Sequence, residues 1–322
     1  MEKSHVRLNG AKAFLLAARP KTLSGAAVPV MIGIAFAIHD MGWKQFVSPT
    51  DGTWLSCPIV PALLCLLFAF AMQVDANFVN DYFDYVRGND DRATRLGPPR
   101  ACAEGWVTLP AMRVALVVTT AIACLLGLPL VAYGGWEMIL VGLACVVFCF
   151  LYTTLFAQHG LGDVLVLVFF GIIPVCLTYF VVQSGINQTI PLQVLFSSIA
   201  CGVIIDTLLV VNNYRDIDND RQTGKKTLIV RIGQHGGEYL YNCLGLLGAL
   251  MMVNTILYES SGLLSYLYLG LAFLPYAILH YKAYNRMKAI GKGRELNQVL
   301  GMTARNILVF GITSALAILF IA

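Results

Sequence analysis

The sequence predicts an all-α integral membrane protein with nine transmembrane helices, its amino terminus in the cytoplasm and its carboxyl terminus outside. Three observations indicate this fold class. Of 322 residues, 58% are hydrophobic and only 12% are charged, whereas soluble domains carry about 25% charged residues. The apolar residues form long stretches, and lysine and arginine are concentrated in alternate connections between them. Each stretch approaches the roughly 20 apolar residues that a membrane-spanning helix needs.

Nine apolar stretches follow one another along the chain. They cover residues 22–40, 58–82, 110–133, 136–156, 162–184, 190–214, 237–258, 262–283 and 296–321. A short interfacial helix is expected ahead of the first, over residues 9–18. We expect residues 1–322 to form one domain. Because Asp81 and Asp216 lie at the ends of the second and sixth stretches, we interpret helices 1–4 and 5–8 as related halves, followed by helix 9.

Positive charge is distributed unevenly between the two sides of the predicted bundle. The amino-terminal segment and the connections after stretches 2, 6 and 8 are rich in lysine and arginine, and only Lys44 falls on the opposite side. Such a bias marks the cytoplasmic side of a membrane protein. Both acidic segments of the chain therefore face the cytoplasm. We expect the bilayer, and no nucleic acid, as the macromolecular environment.

The first acidic segment reads NFVNDYFDYVRGNDD, residues 77–91. Its members Asn77, Asp81 and Asp84 stand at i, i+4 and i+7, on one helical face. Asn80 borders that face. Gly88 allows the chain to turn, which would bring Asp90 back toward the cluster.

The second acidic segment reads NNYRDIDNDRQTGKKT, residues 212–227. Asn212, Asp216 and Asp220 stand at i, i+4 and i+8, again on one helical face, whereas Asp218 points elsewhere. The same combination of acids and asparagine thus recurs at the same relative position of the two halves. A solvated loop of ion pairs, the simpler interpretation, does not explain this repetition.

Carboxylates in such number repel one another and need a counter-charge. Mg²⁺ prefers oxygen ligands and is commonly bound through one or two carboxylates together with phosphate. Two facing clusters would therefore suit Mg²⁺ ions that hold a diphosphate and stabilise it as a leaving group. Basic side chains are available for the remaining phosphate oxygens, namely Arg95, Arg100, Arg215, Arg221, Lys225 and Lys226.

The two acidic segments resemble the paired aspartate motifs of the UbiA superfamily of intramembrane prenyltransferases. Further matching segments are ARPKTL (18–23), RLGPPR (95–100), GLGDVLVLVFFG (160–171) and TARNILVFG (303–311), so the resemblance spans nearly the whole chain. The branch that prenylates 1,4-dihydroxy-2-naphthoate is the more similar one. Relatives acting on 4-hydroxybenzoate carry a Lys-Arg pair after a tyrosine at the end of helix 4, where this chain has YTTLFAQHG (152–160).

The resemblance implies a UbiA-like helical bundle, Mg²⁺ as cofactor, and a site facing the cytoplasm at the bacterial cytoplasmic membrane. The implied reaction joins a polyprenyl group from polyprenyl diphosphate to 1,4-dihydroxy-2-naphthoate with loss of CO₂ and diphosphate, in menaquinone biosynthesis. The implied metal ligands are Asn77, Asp81, Asp84, Asp90, Asn213, Asp216 and Asp220. Of these, Asp81, Asp84, Asp216 and Asp220 would be catalytic. Arg19 and Lys21 would join the diphosphate-binding residues.

Four other polar residues are candidates for the acceptor pocket: Asn80, His159, Asp163 and Asp206. Asp206 lies within a predicted span, as does Asp75, and an acid inside a membrane is by default a functional candidate. A structural polar pair is the alternative for such an acid. His159 and Asp163 lie on the connection after helix 4, which holds no lysine or arginine.

Three other functions are compatible with parts of this pattern. A prenyltransferase of the same superfamily could act on 4-hydroxybenzoate, haem or a chlorophyll precursor. A membrane transporter with acidic ion sites would instead place its acids near the bilayer midplane, on broken helices. A non-catalytic lipid-binding or assembly protein gives no reason for two matched aspartate motifs.

Overall fold

The computed structural model describes residues 7–88, 95–258 and 263–320, and within them every regular element is a helix. In chain order the helices are α1 (Ala11–Ala18), α2 (Leu23–Met41), α3 (Trp43–Phe46), α4 (Ile59–Val86), α5 (Leu109–Gly134), α6 (Glu137–His159), α7 (Gly162–Val182), α8 (Leu192–Arg215), α9 (Ile217–Gln222), α10 (Leu228–Leu257), α11 (Leu263–Ile290) and α12 (Leu296–Phe320).

In the part of the chain that the structure describes, eight segments are long and apolar enough to cross a membrane. They are α1 with α2, then α4, α5, α6, α7, α8, α10 and α12. The protein is therefore an all-α, multi-pass membrane protein, as predicted. The remaining predicted stretch, 262–283, corresponds to α11, a 28-residue helix that packs against α10 and α12. Its last turns carry Lys282, Arg286 and Lys288, whereas residues 263–280 contain no Lys, Arg, Asp or Glu.

Helices α2 and α8 form the centre of the bundle. Helix α2 contacts α4, α7, α8 and α12, and α8 also packs along α7, α10 and α12. The side chains between them are fully buried, among them Ile32, Ile204 and Phe310. Residues at the ends of these two helices are consequently held in place by neighbouring helices on several sides.

The backbones of α7 and α8 touch where each helix has a glycine. A Cβ atom at Gly171 would lie only 2.6 Å from the backbone oxygen of Ser198, and one at Gly202 would lie 2.9 Å from the backbone oxygen of Leu167. Small residues permit such close helix approach within membranes. This contact fixes the register between the beginning of α7 and the end of α8, where the candidate site lies.

Candidate active site

A polar pocket of about 190 Å³ lies where the ends of α4 and α8 meet the beginning of α7 and the short helix α9. It brings together acids from both predicted segments, Asp84 on one side and Asp216 and Asp220 on the other. The amide side chains of Asn80, Asn212 and Asn213 also line it, as do Arg19, Arg95, Arg100, Tyr152, Asp163, Arg215 and Lys225. The two acid-rich segments therefore face a common space.

Each of the three motif acids in the pocket has a basic neighbour. Asp84 lies 3.3 Å from Arg100, and Asp220 lies 3.8 Å from Lys225. The Arg215 guanidinium donates from Nε and Nη2 to Asp216, over 2.8 and 2.5 Å. These are cations that could turn toward an incoming phosphate without leaving the pocket.

Asp220 is a motif acid whose environment disfavours its charge. It is 4% exposed, and burial raises its pKa from 3.8 to about 6, with Asp216 and Asp84 adding repulsion and Lys225 and Arg215 opposing it. The two acidic segments therefore interact electrostatically across the pocket. A divalent cation placed between them would remove this repulsion.

The oxygen atoms of the pocket suit a magnesium ion that is also bound by phosphate and water, and not a metal ion bound by protein ligands alone. Among the described residues, no three His, Cys, Asp or Glu side chains come close enough together to hold an ion by themselves. The predicted ligand Asp90 lies outside the described residues. Carboxylate and amide oxygens on opposite walls suit Mg²⁺, which takes one or two carboxylates and completes its shell with phosphate and water.

Asn77 and Asp81 lie outside this pocket, although both were predicted as metal ligands. Asp81 is 1% exposed, and its carboxylate accepts hydrogen bonds from the backbone N–H groups of Ala101 and Cys102, over 2.8 and 2.9 Å. Asn77 Nδ2 donates to the Ala18 carbonyl oxygen, over 2.9 Å. The helical face that carries both residues packs against the loop after α4 and against α1. In this structure they hold the walls of the pocket instead of facing it.

The remaining predicted phosphate-binding residues are divided among three locations. Arg19, Arg95, Arg100, Arg215 and Lys225 line the polar pocket, whereas Lys21 lines the adjoining apolar cavity. Arg221 is half exposed and lies 3.7 Å from Asp218, outside the pocket. Lys226 is exposed.

A local irregularity in α6 brings two residues into the pocket that the sequence motifs did not indicate. Over Tyr152–Phe156 the helix widens to a π-turn, a feature frequent at functional sites. It turns Tyr152 and Thr153 into the pocket, and the Thr153 hydroxyl donates to Asn80 Oδ1. Arg87 Nη1 donates to the Thr154 carbonyl oxygen over 2.8 Å. A 3.6-residue pattern does not reveal this turn.

The loop between α6 and α7 is held against the loop before α10. Gly160 has a positive φ of 78°, and a Cβ there would lie 2.3 Å from the Lys226 carbonyl oxygen. Arg231 Nη2 donates to the His159 carbonyl oxygen over 3.0 Å. The His159 ring is exposed and does not line the polar pocket. The loop thus positions Asp163 at the pocket wall and directs His159 away from it.

Asp163 and Asp206, both predicted for the acceptor pocket, contact each other. Their carboxyl groups are within hydrogen-bonding distance. Asp163 lines the polar pocket, and Asp206, which is 6% exposed, lies behind it on α8.

An apolar cavity of about 1080 Å³ opens directly into the polar pocket. Arg19, Asn80, Tyr152 and Asn212 line both spaces. From this junction the cavity extends along α4 past Ala76 and on toward the opposite end of the bundle, and its walls include residues of α2, α5, α6 and α7. The site therefore combines a small charged compartment with a large hydrophobic one.

Residues 26–294 match the model of the UbiA prenyltransferase family. This chain belongs to that family. It is 34% identical over 254 residues to a 1,4-dihydroxy-2-naphthoate octaprenyltransferase of Escherichia coli, covering 76% of each chain. It is 31% identical over 311 residues to an enzyme of that name from Mycobacterium leprae, covering 92% of this chain and 93% of that one. A UbiA homologue from Archaeoglobus fulgidus, solved with DMAPP and Mg²⁺, has the same fold, with a TM-score of 0.58, 14% identity and coverage of 94% and 98% of the two chains.

Proposed function

We propose that this UbiA-family protein transfers a polyprenyl group from polyprenyl diphosphate to 1,4-dihydroxy-2-naphthoate, releasing diphosphate and CO₂, as a step of menaquinone biosynthesis. The observation that carries the proposal is the junction of the polar pocket with the apolar cavity. One compartment matches a diphosphate and the other a long isoprenoid tail. The activity for which the Escherichia coli and Mycobacterium leprae relatives are named supports the naphthoate as acceptor.

The diphosphate would lie between the two acidic segments. Asp84, Asp216 and Asp220 would hold Mg²⁺ together with the amide oxygens of the pocket. Magnesium, when bound, neutralises the diphosphate and stabilises it as a leaving group. Arg100 and Lys225 would donate to its outer oxygens, since charge-assisted hydrogen bonds to phosphate are the strong ones.

The apolar cavity would hold the tail and exclude water from the allylic carbon. Its lining near the junction is aromatic or small, including Phe148, Phe169 and Ala76 beside Tyr152. A ring face stabilises positive charge that develops nearby. Exclusion of water prevents water from adding to the allylic carbon and giving a prenyl alcohol. The aromatic acceptor would enter through the polar pocket, where Asp163 and Asn80 lie.

The proposal also includes nine membrane spans, with α11 as the eighth, and a cytoplasmic polar pocket at the bacterial cytoplasmic membrane. It is supported by the concentration of positive charge in the connections on that side. An odd number of spans puts the two termini on opposite sides. Reporter fusions at residue 322 and within the amino-terminal segment distinguish nine spans from eight, since eight would place both reporters on the same side.

The decisive experiment supplies purified protein with Mg²⁺, a prenyl diphosphate and one acceptor at a time. We expect prenylated naphthoquinol and release of labelled CO₂ from carboxyl-labelled dihydroxynaphthoate, and no product with 4-hydroxybenzoate. The Asp84→Asn variant should be inactive, and the Asp218→Asn variant, altered at an exposed acid outside the pocket, should retain activity. Transfer to 4-hydroxybenzoate instead, or none to either acceptor, would refute the proposal.

A further inference from the structure

The carboxyl pair of Asp163 and Asp206 differs from every other acid of the site. Asp84, Asp216 and Asp220 each lie within 4 Å of a lysine or arginine. In the described part of the chain, neither member of the pair has such a partner, and Oδ1 of each is buried with no amide, hydroxyl or cationic group donating to it. Burial without compensation is costly for a carboxylate, so the arrangement requires an explanation.

The fold enforces the contact between these two acids. Asp163 stands in the first turn of α7, and Asp206 lies opposite it on α8. The close approach at Gly171 and Gly202 holds the two helices together along this stretch. Two carboxyl groups at such a distance are stable when they share one proton. A pair of this kind can both accept a proton and give it back.

The pair adjoins the point where the two substrates would meet. Tyr152 lines both the polar pocket and the apolar cavity, and it interacts electrostatically with Asp206, Asp163 and Asp84. Its hydroxyl oxygen is 3.6 Å from the position of a Cβ at Gly162, the residue before Asp163. An aromatic ring presented to the end of the tail would therefore lie beside Asp163.

The proposed reaction needs a group that removes a proton and later returns it. When the ring carbon bearing the carboxylate bonds to the allylic carbon, the allylic C–O bond breaks and diphosphate leaves. If the neighbouring hydroxyl loses its proton in that step, it becomes a carbonyl and the adduct is a β-keto acid. Loss of CO₂ then sends the C–C electron pair to that carbonyl oxygen, which takes the proton back. The proton that the hydroxyl loses in the first step returns to the same oxygen in the second, and no oxidant or reductant is needed.

We infer that the Asp163–Asp206 pair is this proton-exchanging group, with Asp163 as the catalytic residue and Asp206 as the positioning residue that shares its proton. The inference rests on the proposed function. It assigns to the pair the proton of the acceptor hydroxyl next to the carboxylate, and to Asp84, Asp216 and Asp220 the diphosphate alone.

The test compares Asp163→Asn, Asp206→Asn and the control Asp218→Asn in the full-length protein, with Mg²⁺, geranyl diphosphate and dihydroxynaphthoate. We expect kcat to fall about 10²–10⁴-fold in Asp163→Asn, the range for loss of a general acid–base group, and by a smaller factor in Asp206→Asn. The KM and the binding constant for geranyl diphosphate should stay within threefold of the wild type. Thermal unfolding at or above the wild-type temperature would show that both variants fold.

A second acceptor separates proton transfer from a structural defect. With a ring-fluorinated dihydroxynaphthoate, whose hydroxyl is more acidic, both variants should recover at least tenfold relative to the wild type. An equal loss with the two acceptors, or a kcat of Asp163→Asn within threefold of the wild type, would overturn the inference while leaving the proposed function intact. Failure of the wild type to prenylate dihydroxynaphthoate would refute the proposed function and the inference with it.

Discussion

Replacement of Asp220 by asparagine should stabilise the metal-free protein at neutral pH while abolishing its activity. Burial and the neighbouring acids raise the pKa of this carboxyl group from 3.8 to about 6. That rise corresponds to roughly 3 kcal/mol. Asparagine has nearly the same shape and no charge, so it removes the penalty of ionising Asp220 inside the fold. Stability given up for function is common at active sites.

The pH dependence of this effect follows from the direction of the shift. Below about pH 4, Asp220 is protonated in both the folded and the unfolded protein. Its burial then carries no ionisation penalty, and the wild type has its full stability. As the pH rises toward 6, the unfolded chain releases this proton first, so the wild type loses stability. Above about pH 6 the group is ionised in both states, and the deficit of roughly 3 kcal/mol persists.

Thermal unfolding in detergent with EDTA, followed through the four tryptophans, measures the difference directly. Asp220→Asn should unfold at a higher temperature than the wild type at pH 8 and at the same temperature near pH 4. Mg²⁺ with a prenyl diphosphate should raise the midpoints of the wild type and of Asp218→Asn, but not that of Asp220→Asn. Asp218→Asn serves as control because its acid is exposed. A midpoint for Asp220→Asn at or below that of the wild type at pH 8 would refute the reasoning.

Three further predictions concern the walls of the site. Asp81→Ala should lower thermal stability by about 2 kcal/mol or more, because two backbone N–H groups lose their buried acceptor; an unchanged unfolding midpoint would contradict this. Gly160→Ala should reduce kcat severalfold, because a Cβ would lie 2.3 Å from the Lys226 carbonyl oxygen, whereas Gly185→Ala, at a positive φ with nothing within 4 Å, should not. Ala69→Trp, on the wall of the apolar cavity, should impair transfer from long prenyl diphosphates more than from geranyl diphosphate; equal loss with both would argue against a tail in that cavity.

The membrane class, the helix order and the meeting of the two acidic segments could all be predicted from the sequence. These properties depend on patterns that are local or nearly so: apolar length, charge bias and spacing on one helix. The spacing of Asn77, Asp81 and Asp84 identified a helical face, but it could not show what covers that face. The backbone N–H groups of Ala101 and Cys102 bind the Asp81 carboxylate. A contact between residues 20 positions apart in the chain leaves no periodic signal in the sequence.

The position of Tyr152 could not be predicted for a different reason. Regular helical spacing along the rest of α6 predicts one direction for the Tyr152 side chain. The π-turn that begins at this residue gives the side chain a different direction. The Thr153 and Thr154 carbonyl oxygens at this turn accept hydrogen bonds from Arg87, the residue after α4. Such a turn therefore depends on a partner 60 to 70 residues away as much as on its own residues.

Arg215 shows how the position of the second acidic segment depends on the last helix, α12. Its Nη1 donates to Asn297 Oδ1 over 2.9 Å, and Asn297 Nδ2 donates to the Leu96 carbonyl oxygen over 2.8 Å. One amide side chain thus connects the second acidic segment to the loop that carries Arg95 and Arg100. Asn297 belongs to neither acidic segment, and only the packing of α12 against α2 and α8 brings it there.

Asp75 and Asp206 give the same signal in the sequence, an acid within a membrane span, yet their surroundings differ. Asp75 is fully buried and accepts hydrogen bonds from the Thr119 and Thr120 hydroxyls of α5. Those donors satisfy its carboxyl group and fasten α4 to α5, away from both cavities. Asp206 has another acid as its neighbour, and that acid reaches the pocket. An intramembrane acid whose partners are all donors serves the fold, and one left with an unsatisfied oxygen beside a pocket is where chemistry should be sought.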